Sequence, residues 1–165
     1  MFSSLRTNHK GKGASGFTLI EILIVIAIIA VLAVVVFVAL NPAQRLKASR
    51  DTKRISDANT ILTAIHAYIV DNGGSYPSGL SAGMSEVQLG TSATTCTVAT
   101  GGCSVAAAAC VDLTTPLAAY LKSIPTDPNG GTAAKTNYAV VVNSNGIVTV
   151  KACGTEGATN ISASR

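Results

Sequence analysis

The chain contains no tryptophan, aromatic residues make up only 4% of it, and charged residues only 12%. Without aromatic side chains to spare there is no stacking platform for single-stranded nucleic acid. Only two histidines occur, His9 and His66. After residue 16 only His66 remains, so no serine or cysteine has a credible base for nucleophilic catalysis. No pair of carboxylates is spaced for acid–base work, and no glycine-rich phosphate loop follows a strand. No internal repeat of useful length is apparent. Residues 1–16 carry Arg6, Lys10 and Lys12 and no acid. They also lack the apolar stretch of about 7–15 residues that marks an ordinary secretory signal. These absences argue against an enzyme and against a conventional exported precursor.

What is present is one long apolar run. Across the 24 residues from Phe17 to Leu40, Glu21 is the only charged side chain. A run of that length reads as a membrane-spanning helix. A carboxylate inside such a span costs roughly 2.5–3.5 kcal/mol on insertion scales, so it usually has a partner and a role. A cut at the Gly16–Phe17 junction keeps the helix and creates a new α-amine at Phe17, four residues from Glu21.

The short basic leader, Gly16, Phe17, the Thr18-Leu19-Ile20-Glu21 sequence and the apolar run through Leu40 resemble the class III leader of type IV pilins and type II secretion pseudopilins. The resemblance covers about residues 6–42. It implies that an aspartic prepilin peptidase and methylase cuts after Gly16 and N-methylates Phe17, and that Glu21 is needed for assembly. It also implies a helical homopolymer or mixed pilin fibre and an inner-membrane assembly platform. The subunit would begin as a single-pass precursor in the bacterial inner (cytoplasmic) membrane and end in an extracellular fibre. Physical reasoning agrees on Glu21. In a bundle of parallel helices it would neutralise the Phe17 ammonium of a neighbouring subunit, and methylation keeps that charge. In a low-dielectric core, either group alone would be costly.

Charge and periodicity describe the remainder. Three of the 12 basic residues precede residue 17, leaving nine against eight acids, a net charge of +1. Arg45, Lys47, Arg50, Lys53 and Arg54 fall within ten residues, against Asp51 alone. They read as a solvated helix face or as a contact for an anionic partner: lipid, nucleic acid or another surface ligand. This flank outweighs the leader and opposes a simple positive-inside reading. The cleavage motif nevertheless keeps the leader inside. Asn41-Pro42 marks a break or kink, since proline removes a donor and clashes with the preceding turn. Beyond it Ile55, Ala58, Leu62, Ile65 and Ile69 recur at helical spacing, and Asn72-Gly73-Gly74 supplies the stop. From Phe17 to about Val70 the helical run would extend roughly 80 Å.

The expected fold is α+β, a long N-terminal helix whose first half spans the membrane, packed on a small antiparallel sheet in a pilin roll. The segments are 1–16 leader, 17–40 membrane and assembly helix, 41–72 second half of the helix, and 73–165 globular head. Residues 73–110 read as a long loop region with little regular structure. Thr115 and Pro116 suggest a short helix through Leu121. Asn137 to Val142 and Ile147 to Ala152, flanking Asn143-Ser144-Asn145-Gly146, predict a hairpin. The tail around Asn160-Ile161-Ser162 offers a third strand. The stretch from Tyr120 to Pro128, with Tyr138 beyond it, is similar to the C-terminal half of pseudopilins. In the major pseudopilin that loop often binds calcium through several acids. Here Asp127 is the only carboxylate between Asp112 and Glu156, so no metal and no cofactor is assigned.

Four cysteines, Cys96, Cys103, Cys110 and Cys153, all follow the apolar run, which suits disulfides in an oxidising compartment. Three pairings are open. The reading preferred here joins Cys96 to Cys103 and Cys110 to Cys153, the latter worth around 3–4 kcal/mol in the chain-entropy model. Zinc ligation does not match the equal spacings of seven. Two functional classes remain, a fibre-forming subunit (of a pilus or of a secretion pseudopilus) and a membrane-anchored adhesion or DNA-capture module.

Overall fold

A computed structural model describes residues 16–157 and 160–165. The leader residues Arg6, His9, Lys10 and Lys12 lie outside the described residues. The chain divides into two compact units, 1–42 and 43–165.

The first unit holds helix α1, Leu19–Leu40. It is apolar all round and none of its residues is buried, the pattern of a span rather than of a surface helix. At 1.5 Å per residue it extends about 33 Å, matching the hydrocarbon thickness of a bilayer. The helical run is interrupted at the expected place. Asn41 adopts a left-handed conformation with φ 40°, which asparagine tolerates better than most residues. Pro42, having no N–H to leave unsatisfied, opens the next helix.

The second unit is an α+β head. Helix α2, Pro42–Asp71, buries Ala58, Ile61, Leu62, Ala64 and Ile65. They pack in one core with residues of a four-stranded sheet. The strands are β1 Met84–Gln88, β2 Tyr138–Val142, β3 Val148–Ala152 and β4 Ile161–Ser164, all antiparallel and in the order β1-β2-β3-β4. Tyr138, Val140, Val142, Val148, Val150, Ala152, Ile161 and Ala163 supply the core face. The period of two that separates them is what puts them on one side. In the β2–β3 turn, Gly146 N donates to Asn143 O and the Asn143 side chain accepts from Asn145 N and Ile147 N. The tail does form a strand, with Val150 opposite Ala163.

Several expectations need correction. Residues 73–110 contain β1, whose sequence Met-Ser-Glu-Val-Gln has only one β-branched residue and draws its strand character from pairing with β2. Ile55 is 50% exposed, so the buried stripe does not begin there. Ile61, fully buried, carries it instead. The expected helix at 115–121 is a set of hydrogen-bonded turns, in which Leu117 N donates to Leu113 O, Ala118 N to Thr115 O and Leu121 N to Leu117 O, and Asp112 Oδ1 accepts from the Thr114 amide at 2.8 Å.

The disulfides also pair differently. Cys96 bonds Cys110 and Cys103 bonds Cys153. The reason is a small hairpin in which Val98 and Val105 exchange backbone hydrogen bonds and Cys96 N donates to Ala108 O. That register places Cys96 opposite residues near 108–110 and carries Cys103 to the tip. The tip lies on the end of β3, where Thr100 Oγ1 donates to Cys153 O at 2.8 Å. A Cβ at Gly101, whose φ is 60°, would meet Cys153 O at 2.5 Å, so only glycine fits there. The hairpin thereby covers Ala139 on the sheet face opposite the core.

Ile65→Ala is expected to lose roughly 2–5 kcal/mol of stability, while Ile55→Ala stays within about 0.5 kcal/mol. Denaturant titration of the two variants checks the assignment of the helix face. Removing both cysteines of the Cys103–Cys153 pair, which closes 50 residues, is expected to cost about 4 kcal/mol in the chain-entropy model. For the Cys96–Cys110 pair, closing 14, the figure is about 3 kcal/mol. Non-reducing peptide maps identify the two pairs directly.

Candidate functional site

Residues 16–21 form the first site. Gly16 and Phe17 precede the helix and are exposed, Phe17 at 77%. A side chain on Gly16 would meet nothing within 4 Å among the described residues. Thr18 is the N-cap of α1, with extended φ −76° and ψ 152°. Its Oγ1 accepts from Glu21 N at 3.2 Å, and Glu21 Oε2 accepts from Thr18 N at 3.4 Å. This is a reciprocal capping box, satisfying two donors that a helix start otherwise leaves unpaired. The carboxylate also lies at the positive end of the helix dipole. Within this chain, then, Glu21 stabilises the start of α1. The sequence signal for this cap is Thr followed three residues later by Glu before an apolar run.

The basic cluster is a different object from the one its spacing suggested. Arg45 and Lys47 are exposed near the start of α2. Arg54 is fully buried. Its Nε and Nη2 donate to the two carboxylate oxygens of Asp127 at 2.6 and 2.9 Å, a bidentate fork. Its Nη1 donates to Asp51 at 2.7 Å and to Glu156 at 3.1 Å. Arg50 Nη2 donates to Glu156 Oε1 at 2.6 Å, and Lys53 pairs with Asp57 at 3.2 Å. Asp57 in turn accepts from the buried Tyr138 hydroxyl at 3.0 Å. Asp51 is also engaged from the other side, by Glu156 N and Gly157 N. Arg54 therefore cannot face an anionic partner, and Arg50 and Lys53 are committed to acids of their own chain. The three carboxylates around Arg54 come from α2, from the loop after residue 124 and from the loop after β3, and nothing in linear spacing connects them.

The electrostatics follow. The Arg50 hydrogen bond, aided by Arg54, holds the Glu156 carboxyl at about 2, against burial that opposes it. The Asp127 hydrogen bond pushes the Arg54 guanidinium above its already high value, and Glu156 does the same for Arg50. Burial, then the Asp57 hydrogen bond, pushes the Tyr138 hydroxyl up. Among the described residues no group of three or more His, Cys, Asp or Glu is arranged to hold a metal ion. Asp127 has both oxygens on Arg54. His66 Nε2 lies 3.1 Å from Arg165 O. In an open groove along α2, lined by Ser56, Asn59, Thr60, Thr63, Tyr120 and Leu121, the Thr60 and Thr63 hydroxyls donate to helix carbonyls and the Tyr120 hydroxyl donates to Asp71.

A model of the prokaryotic N-terminal methylation motif matches residues 11–37. The match runs from the leader through the junction at residues 16–17 and most of α1, and leaves the head outside it. The N-terminal segment thus carries the class III leader of type IV pilins and pseudopilins. Comparison of the chain with curated proteins and with solved structures gives no match.

Glu156 has a depressed pKa when folded, so the stability it adds is present above the ordinary value of 4.5 and is lost as pH falls through about 2. Acid titration of folding should show this loss in the wild type and a flatter profile in Glu156→Gln. Arg54→Ala leaves Asp127 buried without its partner and is expected to cost about 3–5 kcal/mol. Arg54→Lys should recover only part, since lysine lacks the planar fork; chemical denaturation measures both.

Proposed function

We propose that this chain is a prepilin-like structural subunit. It is cleaved after Gly16, N-methylated on Phe17 and polymerised through α1 into a type IV pilus-like fibre. The observation that carries this reading is the coincidence of the methylation motif with a helix none of whose residues is buried. Twenty-two residues of apolar helix need an apolar environment outside the chain. A bilayer supplies it before assembly, and neighbouring helices supply it afterwards.

In this reading the Glu21 carboxylate has two successive partners. In the precursor, Thr18 N donates to it within the capping box. After cleavage, a neighbouring Phe17 ammonium competes for it. The cap contributes about 1 kcal/mol to the helix start, whereas a desolvated ion pair left half-made costs several, so the intersubunit pair dominates in a fibre. The peptidase, the assembly platform in the inner membrane and other subunits are the partners this requires. The head determines what the fibre displays. A pseudopilus of a secretion system uses the same chemistry and is the second reading, favoured by the Asp127-Pro128 resemblance. The anchored binding module is weakened as a reading, because three of its five basic residues are engaged within the head.

Glu21→Ala is expected to abolish surface fibres while membrane fractionation still recovers the precursor. Normal fibres from the variant would overturn the assembly role. Mass analysis of sheared fibres should find a chain beginning at methylated Phe17. A finished fibre retaining Gly16 would defeat the processing step.

A further inference from the structure

The sequence holds three Asn-Gly pairs in the head, Asn72-Gly73, Asn129-Gly130 and Asn145-Gly146. Asparagine followed by glycine is chemically labile, because a glycine nitrogen meets no side chain on its path to the asparagine carbonyl. The fold treats the three pairs unequally. Gly73 N donates to Val70 O at 3.4 Å, and the Asn72 amide donates to Tyr68 O at 2.8 Å. Gly146 N donates to Asn143 O at 3.0 Å, and Tyr76 donates to Gly146 O. Gly130 N makes no hydrogen bond among the described residues, and both Asn129 and Gly130 are exposed. Asn129 N is held by Asp127 Oδ1 at 2.8 Å, and its side-chain nitrogen points to Glu156 Oε1 at 3.4 Å.

We propose that Asn129 is a modification site, converted spontaneously to an acid in the folded protein ahead of the other two pairs. Gly130 N attacks Asn129 Cγ and forms the new C–N bond of a five-membered imide. The Cγ–Nδ2 bond breaks, and Nδ2 leaves as ammonia with the proton given up by Gly130 N. Water then adds to one of the two imide carbonyls and opens the ring to aspartate or isoaspartate. No oxidant or reductant is involved; one amide and one water become one carboxylate and one ammonium. The site matters because of its neighbours. Conversion replaces a donor to Glu156 with a second negative charge. The isoaspartate product also adds a backbone carbon two residues from Asp127, the partner of buried Arg54. A long-lived surface fibre would therefore acquire charge and loosen this loop with age.

The test is a time course on the full-length protein in detergent micelles at mildly alkaline pH, read by peptide mapping for the amide-to-acid mass change. Asn129 should convert about fivefold faster than Asn72 or Asn145, the factor set by one hydrogen bond of ordinary net strength. In urea-unfolded chain the three rates should converge. Equal or faster conversion at Asn72 or Asn145 in folded protein overturns the proposal. So does an Asn129 that stays an amide in folded protein while the unfolded chain converts, or a ranking that survives unfolding. Asn129→Gln, which cannot close the five-membered ring readily, should fold and lose the conversion at this position. Undiminished conversion there would count against the mechanism.

Discussion

The head depends on the fork between Arg54 and Asp127. A guanidinium with no exposed surface would be untenable without compensating charge, and the compensation here comes from three separate parts of the chain. Asp51 lies one turn before it on α2, Asp127 comes from the turn-rich loop preceding β2, and Glu156 from the loop following β3. Each loop is held by more than its carboxylate. Glu156 N and Gly157 N close back onto Asp51, and Asn129 N closes onto Asp127. One turn further along α2, Asp57 meets Tyr138 at the start of β2. Placed at the end of the Ile61–Ile65 core, these contacts set the register of helix against sheet, which a slippery aliphatic interface would leave less determined.

Helix α1 is governed by the opposite condition. It has no charge to neutralise except Glu21, and none of its residues is buried among the described residues. Its backbone hydrogen bonds are satisfied internally, which is what a lipid environment demands. The one costly group is lodged at the first turn, where a capping box and the helix dipole both favour a carboxylate. Processing at Gly16 would alter only what lies before this turn. The same acid can thus serve the isolated helix and, on the proposed reading, the neighbour's new amine.

Much of this was legible in linear sequence because it is local. The span, the break at Asn41-Pro42, the β2–β3 hairpin around Asn145-Gly146 and the leader motif all depend on residues within a few positions of each other. Strand β1 was not legible, since Val87 alone carries β character and pairing supplies the rest. The cysteine pairing is not legible in the sequence, because Cys96, Cys103 and Cys110, seven residues apart, look interchangeable until the hairpin centred between Val98 and Val105 gives them sides. Arg54 looked like its neighbours in a basic run. Only the burial of one helix face separates it from Lys53 and Arg50.

The sequence by itself therefore determined the class III leader, the apolar helix and the acid at its start, since these follow from composition, spacing and helix geometry within about one span. Tertiary structure decided which basic residue is interior, which acids surround it, which cysteines join and which Asn-Gly amide is left unbonded. Several of those join groups far apart in the chain, such as Cys103 with Cys153, 50 residues on, and Arg50 with Glu156, 106 residues on, brought together only when the core excludes water and each buried polar atom must find a partner.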